Sequence, residues 1–93
     1  MPVYSVRYVH KISPRDTDVG PNIQLPDGCF SDRKLLGKSL RDRKIMMCCA
    51  SVRTFRVEGD KVIVFPQCPG LTTYWHSIVL SRIDADPVTL TQR

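Results

Sequence analysis

The chain has 93 residues, 42% of them hydrophobic and 25% charged, a balance that excludes wholesale disorder and allows one modest core in a single small globular domain, 1–93. No apolar run approaches the roughly 18 residues of a membrane-spanning helix, and the alternating, charged start from Met1 to Tyr8 is not the apolar core of a signal peptide, so a cytoplasmic protein with free thiols is expected. A net charge of +5 and a pI near 9.3 fit an anionic partner and carry no information about fold.

Tyr4, Val6, Tyr8, His10 and Ile12 alternate with Ser5, Arg7 and Lys11, the period of two that predicts a half-buried strand. Ser13 to Gly28 holds three prolines, two glycines and the turn signal Pro26-Asp27-Gly28, and reads as a long loop, 13–28, without regular structure. Asp32 suits the N-cap of a helix running to about Lys44. On a helical wheel Leu35, Leu36 and Leu40 gather on one side and Lys34, Lys38 and Arg41 on the other. Gly37 weakens this helix by about 1 kcal/mol relative to alanine, and Arg43 intrudes on its apolar stripe.

Gly59-Asp60 predicts a two-residue type II′ hairpin turn, with glycine supplying the positive φ. That register sets Glu58 opposite Lys61, Val57 opposite Val62, Phe55 opposite Val64 and Thr54 opposite Phe65. An ion pair at the turn and an apolar block on one face emerge together, so two independent features select one register. Cys68-Pro69-Gly70-Leu71 fits a type II turn. A last strand is predicted from Thr73 to Ile83, with Tyr74, His76, Ile78 and Leu80 on one face and Trp75, Val79 and Ile83 on the other. The polar tail, 84–93, is expected to fray.

The fold class is therefore α+β: one short helix packed on an antiparallel sheet of about four strands, in the order β-loop-α-β-β-β, with a small curled β-barrel as the alternative. One helix covers one face of such a sheet, yet Ile63, Phe65, Trp75 and Val79 make the second face apolar as well. Either the 13–28 loop covers it, the sheet curls, or it is a ligand or interface face, as in a homodimer.

Charge is segregated along the chain. Between Arg33 and Arg56 lie eight basic residues and one acid, Asp42, which leaves six basic and eight acidic residues elsewhere. Lys34, Lys38, Arg41, Arg53 and Arg56 are the candidate anion-binding or nucleic-acid-binding residues. Arg56 is expected on the face of Ile63 and Phe65, a basic and aromatic mixture of the kind that binds single strands. A solvated helix face is the competing reading of the same charges.

Other chemistry is weaker. Cys29, Cys48, Cys49 and Cys68 form no C-x-x-C pair, so a zinc site would have to be composite, with His10 and His76; no metal and no cofactor are implied. Cys29, beside a turn, could be a nucleophile only with a lowered thiol pKa and a base in reach. His10 and His76 are expected on apolar strand faces, where histidine is more often a hydrogen-bonded core residue than a ligand or base. Asp16-x-Asp18 and Asp84-x-Asp86 lack the further ligands of a calcium loop, and Leu36-Gly37-Lys38-Ser39 lacks the upstream glycine of a phosphate loop. The sequence thus favours a non-enzymatic binding module, dimeric, engaging nucleic acid or an acidic protein through residues 33–56. The alternative is a small-molecule binding protein or minor enzyme with a pocket on the second apolar face.

Overall fold

The computed structural model describes residues 2–45, 51–67 and 75–83. Its strands are β1 (Val3–His10), β2 (Thr17–Val19), β3 (Ile23–Gln24), β4 (Val52–Glu58), β5 (Lys61–Pro66) and β6 (Trp75–Arg82); the helix is α1 (Arg33–Asp42), preceded by a 3-10 turn, Asp27–Ser31. The strands form one antiparallel sheet in the order β2-β1-β6-β5-β4, with β3 also paired to β1. The sheet is open rather than a closed barrel, and one helix packs on it, as the α+β reading expects.

The predicted hairpin register holds pair for pair: Glu58 with Lys61, Val57 with Val62, Phe55 with Val64, Thr54 with Phe65. Gly59 has φ of +63°, the conformation the turn requires. Among the described residues the sheet has six strands where about four were expected, because the segment 13–28 is not structureless. It runs back along β1, pairing first through Arg7 with Val19 and then through Tyr4 with Ile23. Gly20 joins the two pairings; a Cβ there would lie 2.9 Å from the Tyr8 ring and 3.1 Å from Val6, so only glycine lets the chain lie so close. Strands this short, interrupted by Gly20 and Pro21, leave no period to read.

Asp32 caps α1 as expected, its carboxylate accepting the Lys34 N–H at 2.9 Å. Leu36 and Leu40 are buried, while Leu35 stands 44% exposed and does not join the core. The helix ends at Arg43 with Lys44 in the left-handed region; the Lys44 N–H reaches the Arg41 carbonyl and the Ile45 N–H the Leu40 carbonyl. This pair of bonds is a Schellman motif, and it seats Ile45 in the core. The Arg43 side chain donates to the Ser39 carbonyl (2.9 Å) and to the Gln24 carbonyl, so the intruding charge ties the helix end to β3.

One cluster forms the core: Tyr4, Val6, Tyr8, Val62, Val64, Ile78 and Leu80 from one sheet face, Leu36 and Leu40 from α1, Ile23 and Leu25 from the 13–28 segment, and Cys29 from the 3-10 turn. Ile23 and Leu25 thus fill the helix-covered face. Among the described residues, the segment does not cover the second face. The turn at Cys68–Leu71, residues Thr73 and Tyr74 of the predicted strand, and the 84–93 tail lie outside the described residues.

Candidate anion-binding surface

Strand alternation and register define the second face row by row. Arg56 pairs with Ile63, Ile63 with Val79, Val79 with Arg7 and Arg7 with Val19, so these five residues line up across the sheet on the side away from α1. Thr54 and Phe65 form the next row, and Glu58 and Lys61 flank the hairpin end. Ile63, Phe65 and Val79 are half-buried; Arg7, Thr54, Arg56 and Lys61 are exposed.

Two β-bulges alter this face where Phe65 stands. In β4 the register moves from Val52–Pro66 to Thr54–Phe65, which makes Arg53 an extra, unpaired residue. In β6 it moves from Ser77–Val9 to Trp75–His10, which makes His76 the extra one. Both side chains reach the same ring: the Arg53 guanidinium lies 5.8 Å from the Phe65 centroid and the His76 ring 5.8 Å from it, edge to face. Arg56 adds a second guanidinium at 5.7 Å. Contacts of this kind contribute about 0.5–1 kcal/mol each at exposed sites. His76 also bonds the Ser77 hydroxyl through Nδ1 at 3.3 Å, and Arg56 pairs with Glu58 at 3.4 Å.

The β6 bulge overturns two placements. His76, expected with Ile78 and Leu80 in the core, is exposed beside Phe65. Trp75, expected on the second face, instead stacks on Tyr8 at 4.9 Å and on the edge of His10 at 4.8 Å, against the core. One added residue inverts the alternation, and a bulge has no signature in hydrophobic periodicity. Arg53 and His76 were both visible as polar residues interrupting an apolar strand. Trp75 therefore does not stand on the second face with Ile63, Phe65 and Val79, where the sequence places it.

The basic segment divides over two surfaces. Arg53 and Arg56 belong to the Phe65 face, while Lys34 and Arg41 line a pocket of about 350 Å³ between α1 and the start of β4, together with Arg33, Gly37, Ser51, Val52 and Gln67. Lys38 is exposed on the same helix, outside that lining. The surfaces meet at the edge strand, where Arg33 Nη1 donates to the Arg53 carbonyl at 3.4 Å. Arg33 was not among the residues singled out from sequence; its position one helical turn before Gly37 was the available signal.

The remaining candidates separate. Cys29 is buried, and desolvation pushes its thiol up, with the Arg43 guanidinium opposing; this is the reverse of an activated nucleophile. His10 Nε2 lies 3.0 Å from the Asp18 carboxylate, which links β1 to β2. No cluster of three or more metal-ligating side chains occurs among the described residues, and Cys48, Cys49 and Cys68 lie outside them. No described helix is long and apolar enough to cross a membrane. Comparison with protein families, with curated proteins and with solved structures finds no match to this chain.

Proposed function

We propose that the protein is a non-enzymatic module that binds single-stranded nucleic acid on the sheet face away from α1, as expected of a cytoplasmic protein with a basic central segment. The observation that supports this reading is the ring of Arg53, Arg56 and His76 around Phe65, assembled by two bulges on either side of it. An aromatic ring on an exposed sheet face offers a platform for a base, and guanidinium groups beside it meet the flanking phosphates. Arg7 and Lys61 extend the positive charge along the same face, and Glu58, opposite Lys61, adds an acid to it.

Four cations (Arg7, Arg53, Arg56 and Lys61) facing a strand give a slope of log affinity against log salt near −3, at about 0.7 per phosphate neutralised. Anisotropy of a labelled oligonucleotide of roughly ten residues, titrated across salt, tests this. Saturable binding with that slope is expected, with single strands preferred over duplex. No binding at low salt overturns the reading. So does a salt-resistant homodimer, measured by sedimentation, in which Phe65 is buried by the second copy.

A further inference from the structure

We infer that His76 is a phosphate ligand of the Phe65 face that engages as the imidazolium, so that binding of a strand takes up a proton. This deepens the function proposed above and rests on it. A β6 with unbroken alternation would carry His76 into the core with Ile78 and Leu80, where a charged ring is costly. The bulge gives up a place in the ladder and brings the ring to the sheet face away from α1, where it is exposed. There it stands edge to face with Phe65, centroids 5.8 Å apart. Its Nδ1 lies 3.3 Å from the hydroxyl of Ser77, a residue only 4% exposed, and this contact orients the ring. Among the described residues nothing is bonded to Nε2, the nitrogen left for a ligand.

The groups around the imidazole favour an anion. From β5 its neighbour is Phe65, and from β4 Arg53 and Arg56 share that ring. From β1 the neighbours are Val9 and His10, opposite Ser77 and Trp75, and His10 is turned to Trp75 and to Asp18. Arg56 is paired with Glu58, and Lys61 stands opposite that acid at the far end of the hairpin. Among the described residues no carboxylate is paired with Arg53 or with His76. Arg53 and His76 thus flank one ring at the same distance, 5.8 Å, and a phosphate beside a base stacked there can meet both. Neutral imidazole donates from one nitrogen, whereas the imidazolium donates from both and adds a charge, which makes the contact charge-assisted. Histidine makes this change between about pH 8 and about pH 5. By linkage, the phosphate favours the charged ring as much as the charged ring favours the phosphate.

The chain has two histidines, so substitution can assign the effect to one of them. The probe is a labelled oligothymidylate of roughly ten residues, because thymine does not titrate in this range. Its affinity for the parent is expected to be about tenfold higher at about pH 5.5 than at about pH 7.5, the gain of one charge-assisted hydrogen bond. The slope of log affinity against log salt should be steeper by about 0.7 at the lower pH, which a structural role for the ring would not produce. His76→Gln should bind within about twofold at the two pH values, with a single slope. His76→Lys, charged throughout, should show the steeper slope already at about pH 7.5. His10→Gln should keep the dependence of the parent. Binding by the parent that is equal at the two pH values overturns the inference and leaves the strand reading intact. So does a pH dependence that survives in His76→Gln or vanishes in His10→Gln. Absence of binding at both pH values takes down the strand reading, and this inference with it.

Discussion

The two faces of this sheet are built from the same strands and behave as different materials. On the covered face, Val6, Val62, Val64, Ile78 and Leu80 interlock with Leu36 and Leu40 of the helix and are almost wholly buried. On the other face, the residues between them form a half-exposed row in which two apolar side chains, Ile63 and Val79, are flanked by two arginines, Arg56 and Arg7. Alternation is broken twice: on the covered face the breaks leave Val52 and Trp75 facing the core three residues before Phe55 and Ile78, and on the other face each break delivers a polar side chain to one aromatic ring. Regular pairing serves stability, and bulges re-aim side chains at cost to the ladder, so their position marks where the fold departs from its own optimum.

The largest effect expected from this contrast is on stability. Ile78→Ala removes a wholly buried side chain from the central strand and should cost about 3 kcal/mol, a large part of the total for so small a domain. Its neighbour Val79, half-exposed on the other face, should cost less than about 1 kcal/mol when changed to alanine. Urea midpoints of the two variants measure the difference directly. Equal losses would mean that the second face is also packed, and the contrast would disappear.

Phe65→Ala should reverse the pattern, with little change in the urea midpoint and a loss of about tenfold in oligonucleotide affinity, the low end for one base–aromatic stack. An unchanged affinity with unchanged stability would leave the Phe65 cluster without a role. Next in size come the arginines. Arg53→Gln and Arg56→Gln should each weaken binding severalfold and flatten the salt slope by about 0.7, whatever the sequence of the strand. If only Arg56→Gln does so, the bulge at Arg53 shapes the edge strand and not the site. An edge protected by a bulge and two arginines is also a poor template for pairing with another sheet, and this argues against a dimer joined through β4.

How much of this was legible follows from the range of each interaction. The hairpin from Thr54 to Phe65 was readable because its turn residues, ion pair and apolar pattern are all local and agree. The α1 cap at Asp32 was readable for the same reason. The pairing of Ile23 with Tyr4 was not, because a two-residue strand owes its existence to β1 lying beside it. The positions of Trp75 and His76 were beyond reach too: their faces depend on one unpaired residue that only the β1 partner reveals. The basic segment was visible as a run of charge, but its division between a pocket and a sheet face needs the third dimension.

The smallest effect tests whether the covered face is dry at its border. Cys29 packs in the core, and burial raises its thiol above the ordinary value of 9.0, more than Arg43 lowers it. As pH rises, the unfolded chain therefore releases this proton before the folded one does. The stabilisation is complete below pH of about 9 and is lost as pH climbs through the folded value. Cys29→Ala forfeits some packing at every pH, so the informative quantity is the slope: above pH of about 9 the parent should lose stability more steeply than the variant. Chemical melts at neutral and alkaline pH measure both slopes while the other titrating groups stay the same in the two chains. Parallel slopes would mean that water reaches the thiol, and that the border of the core beside the helix-capping turn is as wet as the face that carries Phe65.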